Sequence, residues 1–179
     1  MLKPAAFFAL VMLSPAAARA AALAPAAKLN IGAESLVVGS NAGSAADFLD
    51  CAKSEVQHTI LPCALKPAAV PAAMSVGRRV QSAFLNLNFK GQVINMSLTF
   101  DAGLSFDVLL GDYKLALGSS PKVQYWADDK HLFASYIWID GTTEVELSRT
   151  LKGPAAGGPV RAYVSSLSGN SELSPEDAR

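Results

Sequence analysis

The chain has 179 residues, with 15 basic and 15 acidic side chains and a formal net charge of zero. This balance excludes the clustered cationic surface that nucleic-acid binding requires, since the densest basic cluster is the single pair Arg78 and Arg79. The length suits one domain with a substantial core and is too short for two ordinary ones.

Lys3, the apolar run from Ala5 to Leu13 and the small-x-small triplet Ala18-Arg19-Ala20 follow the order of a secretory signal peptide. Residues 1–20 are therefore expected to be removed by cleavage near Ala20. The run is much shorter than the roughly 20 residues of a spanning helix, so no transmembrane segment is expected after processing. A lipid anchor is not expected either, because the first cysteine is Cys51. Loss of Lys3 and Arg19 leaves 13 basic against 15 acidic side chains. A periplasmic or secreted location follows, and there Cys51 and Cys63, the only cysteines, are expected to form a disulfide.

Residues 21–43 read as a flexible leader and extended approach, in which Leu29, Ile31 and Leu36 to Val38 are interrupted by Gly32 and Gly39. Residues 44–167 read as a single α+β domain. Ser44 as N-cap, with Phe48, Cys51, Ala52 and Val56 on one face, predicts a first helix from Ala45 to Gln57. Pro62, Pro67 and Pro71 make Ile60 to Ala73 an irregular connector. Alternation then predicts a hairpin: Val80, Ala83, Leu85, Leu87 and Phe89 face one way, and Phe84, Asn86 and Asn88 the other. After a Lys90-Gly91 turn, Ile94, Met96, Leu98 and Phe100 continue the pattern.

A second helix follows Ser105, with Phe106, Leu109, Leu110, Tyr113 and Leu117 at helical spacing and Gly118 as its stop. Val123 to Trp126, Leu132 to Ile139, the strand carrying Val145 and Leu147, and Val160 to Leu167 complete the sheet. Asp140-Gly141 is a hairpin signal. Residues 168–179 form a polar tail. The expected architecture is α+β, two helices packed on one face of an antiparallel sheet of about five strands.

From Leu87 to Arg149 the chain strings together a strand ending at Leu98 to Asp101, a helix opening on Phe106 and Asp107, and a stop at Leu117 and Gly118. Trp138, Asp140, Gly141 and Glu144 to Leu147 follow. In this order it resembles the helix-plus-antiparallel-sheet modules of β-lactamase inhibitory proteins and of the small lipoproteins that assist outer-membrane protein assembly. The resemblance covers about a third of the chain and implies a helix-on-sheet fold. It carries no membrane tether, for want of a lipidation cysteine, and fold similarity alone transfers no activity.

The chain contains no Gly-x-Ser-x-Gly elbow, no His-Glu-x-x-His and no phosphate loop, so no catalytic residue, metal or cofactor is assigned. His58 and His131 lie far apart in the sequence and read as structural. Tyr125, Trp126, Tyr136 and Trp138 form an aromatic group on two adjacent strands, a candidate exposed face for a protein partner or envelope polymer. The favoured function is a non-enzymatic binding or inhibitor-like module using that face. The alternative is a small cell-envelope hydrolase in which Asp128, Asp129, His131 or Glu144 converge.

Overall fold

The computed structural model describes residues 28–52, 60–140, 142–153 and 158–167. The expected signal peptide, the start of the leader and the polar tail lie outside the described residues, as do His58 and the second half of the expected first helix.

Among the described residues, eleven strands, not about five, form one antiparallel sheet. They are β1 (Lys28–Ile31), β2 (Glu34–Val37), β3 (Leu49–Cys51), β4 (Ile60–Leu65), β5 (Ala73–Ser75), β6 (Arg78–Asn88), β7 (Val93–Phe100), β8 (Lys122–Ala127), β9 (Leu132–Asp140), β10 (Thr143–Lys152) and β11 (Arg161–Ser166). Their spatial order is β2-β1-β5-β6-β7-β11-β10-β9-β8, and β4 pairs with β6 while β3 pairs with β4. Among the described residues there is one α-helix, α1 (Phe106–Leu117), between β7 and β8. The α+β arrangement of two helices on a small sheet is therefore corrected to a mostly antiparallel β-fold carrying one helix.

The first expected helix fails for a local reason. Gly43–Phe48 is a short 3-10 helix, and the chain then extends as β3. Leu49 is buried, Asp50 exposed and Cys51 half-buried, a period of two that favours a strand over a helix. Cys51 stands directly opposite Cys63 in the β3–β4 ladder, and the two are joined by a disulfide.

The connector is corrected as well, because Ile60–Leu65 is a strand lying between β3 and β6. Pro62 is tolerated there because its carbonyl accepts from Ala52 N–H at 3.0 Å. Its missing N–H faces that same side, where β3 ends, and costs β6 nothing. Pro67–Ala72 is a second 3-10 turn.

The remaining elements follow the pattern of the residues. β6 and β7 form the expected hairpin, with Gly91 at φ 73° in its turn. α1 ends where Gly118 adopts the left-handed conformation at φ 63° and its N–H bonds the Lys114 carbonyl. Phe106, Leu109, Tyr113 and Leu117 are the buried face of α1. They pack on a sheet face lined by Leu85, Met96, Leu98, Trp138, Val145, Leu147 and Val164, all nearly or fully inaccessible. Arg78 on β6 grips Asp112 on α1 through two bonds, Nε to Oδ2 at 2.6 Å and Nη2 to Oδ1 at 3.1 Å. That fork fixes the helix against the sheet.

Candidate binding surface

Strand alternation gives the sheet a second face, and α1 leaves it uncovered. One row of this face can be followed through five ladders: Phe84 on β6 opposes Ser97 on β7, which opposes Tyr163 on β11. Tyr163 opposes Glu146 on β10, Glu146 opposes Ile137 on β9, and Ile137 opposes Lys122 on β8. Phe84 is 61% exposed and Tyr163 38%, although both are large and apolar in body. With inter-strand spacing of about 4.8 Å, their Cα atoms stand roughly 10 Å apart with the small Ser97 as floor.

A groove of about 380 Å³ opens there, walled by Asp50, Pro62 and Ala64 of the disulfide-linked β3–β4 pair and floored by Asn86, Asn95 and Ser97. Asn86 Nδ2 donates to Asn95 Oδ1 at 3.1 Å, so each amide keeps one polar atom for another partner. No Lys, Arg or His lines the groove. Partial burial, reinforced by Glu144 and Glu146, pushes the Tyr163 phenol up from its usual range, so it stays neutral and able to donate a hydrogen bond at neutral pH.

The aromatic candidates from the sequence divide between the two faces. Trp138 is 3% exposed and lies under α1, stacked on Tyr113 at 6.0 Å, with Nε1 donating to the Ser119 carbonyl at 3.0 Å. Tyr136 lies beside it against Phe106 at 5.3 Å. These two residues therefore sit on the helix-covered face and do not form an open stripe. Tyr125 and Trp126 are 67% and 51% exposed on β8 and point to opposite faces: Trp126, opposite Phe133, to the uncovered face, and Tyr125, opposite Ala134, to the face of Tyr136 and Trp138. Trp126 stacks on Phe133 at 3.9 Å, and its Nε1 donates to Ser135 Oγ at 3.4 Å; Ser135 in turn donates to Glu146 Oε1 at 2.5 Å.

The residues of the hydrolase alternative are not gathered into one cleft. Asp128 and His131 meet in the β8–β9 turn, where Asp128 Oδ1 accepts from the Lys130 and His131 backbone N–H groups at 2.8 and 2.7 Å and lies 3.0 Å from His131 Nδ1. The Lys130 bond, with the bonds and charge of His131, holds the Asp128 carboxyl below its usual range. Glu144 pairs with Ile139 and so sits at the opposite end of the β9–β10 ladder. Among the described residues, no group of three or more His, Cys, Asp or Glu could hold a metal ion.

Alternation puts Phe84 on the polar side of β6, and no motif in the sequence marks it as a site. The available signal for Phe84 is a large aromatic on the side of Asn86 and Asn88, and for Tyr163 an aromatic alternating with the buried Ala162 and Val164. No protein-family model, curated protein or solved structure matches the chain.

Proposed function

We propose that the protein is a non-enzymatic binding module of an oxidising compartment outside the cytoplasm, periplasmic or secreted, that takes its partner on the uncovered face of the sheet. One observation carries the reading: the groove between Phe84 and Tyr163, where two exposed rings flank a polar floor. A shallow, mostly apolar concavity with a few convergent hydrogen-bonding groups is the usual form of a recognition site. Exposed rings provide contact area at low entropic cost. The Cys51–Cys63 disulfide supports the compartment. In addition, no helix among the described residues is long and apolar enough to cross a membrane.

The test is affinity capture from cell-envelope extracts with the wild-type protein and with a Phe84→Ala/Tyr163→Ala variant whose melting temperature is unchanged. The reading expects partners retained by the wild type and lost by the variant. Equal recovery by both would refute it.

A further inference from the structure

We infer that the protein pairs with a second copy of itself through the free edge of β8, making one sheet continuous across a two-fold axis at Tyr125. This does not depend on the proposed groove. β8 ends the strand order, and no described strand pairs with its other side. All six residues of Lys122–Ala127 are exposed, including Val123, Tyr125 and Trp126, and Lys122 is the only charge within the strand. Natural edges are normally blunted by charge, proline, bulges or covering elements. Here a six-residue edge with four apolar side chains carries a single lysine.

The ladder identifies which backbone groups are free. Asp128 N–H donates to the His131 carbonyl at 3.1 Å, in the same register that pairs Ala127 with Leu132 and Trp126 with Phe133. In an antiparallel ladder, hydrogen-bonded and non-bonded pairs alternate. Trp126, Gln124 and Lys122 therefore turn their N–H and C=O groups towards β9. Val123, Tyr125 and Ala127 turn theirs outward with no strand to meet them.

The chain can satisfy that set with its own copy. A two-fold axis perpendicular to the sheet keeps the strands antiparallel and the faces matched, so directly opposed residues must lie on the same face. Centring the axis on Tyr125 opposes Tyr125 to its copy and Val123 to Ala127 of the second chain, so every outward N–H and C=O finds a partner. On the other side of the ribbon it opposes Gln124 to Trp126 and Lys122 to Asp128, giving two symmetric pairs of opposite charge. The next allowed register, centred on Gln124, is poorer. It sets Ala127 against Pro121, which has no N–H, and removes Lys122 from Asp128. The same symmetry places the uncovered faces of both copies on one side, with the two Tyr163 rows roughly 34 Å apart along the sheet at about 4.8 Å per strand.

Two short strands bury less than the ~1,200 Å² of standard stable interfaces, so the association is concentration-dependent. Sedimentation of the mature protein from about 10 µM to about 1 mM should show the mass rising towards that of a dimer. Over the same range, exchange of the Val123, Tyr125 and Ala127 amide hydrogens should slow at least ~10-fold, with Gln124 and Trp126 unchanged. Tyr125→Glu, which sets two carboxylates face to face at the axis, should stay monomeric with its fold intact. Lys122→Glu serves as a second variant, facing Asp128 with a like charge, and should weaken association several-fold at low salt and less at high salt. A monomer at the highest concentration would overturn the proposal, as would a dimer indifferent to both variants or protection arising elsewhere than at the three alternate amides. Pairing of β8 only with a strand of another protein would also overturn it.

Discussion

Replacing Cys51 and Cys63 together by alanine removes the covalent tie between β3 and β4. The tie spans a sequence separation of 12, and loop-closure entropy for a ring of that size amounts to about 3 kcal/mol. β3 has little else to hold it: three residues pair with β4 alone, through Leu49 opposite Leu65, Asp50 opposite Ala64 and Cys51 opposite Cys63. Cys63 is 3% exposed, so its truncation also leaves a small void in the core. The expected loss is about 3 to 4 kcal/mol, or roughly 6–15 °C in melting temperature for a domain of this size. Urea unfolding of the oxidised wild type, the reduced wild type and the double variant measures it. Both perturbed forms should shift together in midpoint. A loss below about 1 kcal/mol in both would show that the native contacts of β3 persist in the unfolded chain or hold unaided, and would refute the reasoning.

Tyr113→Phe should be neutral or stabilising by up to ~1 kcal/mol, because Tyr113 Oη is buried with no partner at hydrogen-bonding distance. The nearby Ser75 hydroxyl is committed to the Lys28 carbonyl at 3.0 Å and offsets only a small part of the burial, which pushes the Tyr113 phenol far up. A phenol that ionises later in the folded than in the unfolded state favours folding below about pH 10 and withdraws that support above it. The wild type should therefore lose stability faster than Tyr113→Phe in alkaline melts. Gly153→Ala should destabilise by roughly 1–3 kcal/mol in thermal melts. Gly153 sits at φ 116°, and an added Cβ would lie 2.6 Å from both His131 Cδ2 and the Lys130 carbonyl. Asp128, held low by the turn it closes, gives up that contribution as the pH falls through its depressed pKa. In acid titrations followed by NMR, the Lys130 and His131 amides should shift together below the ordinary aspartate range, and Asp128→Ala should abolish the transition.

The well-patterned parts of the fold were legible in the residues. β6, β7, α1 and β9 to β11 follow their apolar periods because each buries one face against α1 or the core, and Gly118 marks the helix end as expected. Legibility failed where covalent and long-range pairing outweighed local pattern. Phe48, Cys51 and Ala52 suit a helix, but Leu49 falls off that face, and pairing with β4 decides for a strand. Prolines disguised β4, because the position of Pro62 at the end of the β3 ladder cannot be read without the partner strand. The site shows the same limit. Alternation separates Tyr136 and Trp138 from Ile137 and Ile139, but both sets are apolar. Only the docking of Phe106 and Tyr113 reveals which side is covered.

The position of β11 has a consequence for how the molecule comes into being. The last described strand lies between β7 and β10 and is the seam through which the hairpin half and the three-stranded β8–β10 half become one sheet. A nascent polypeptide that has not yet emitted residues 161–166 holds two raw borders and no means of closing them. Closure must therefore wait until residues 161–166 have been made, so the two halves of the sheet are joined late and from within.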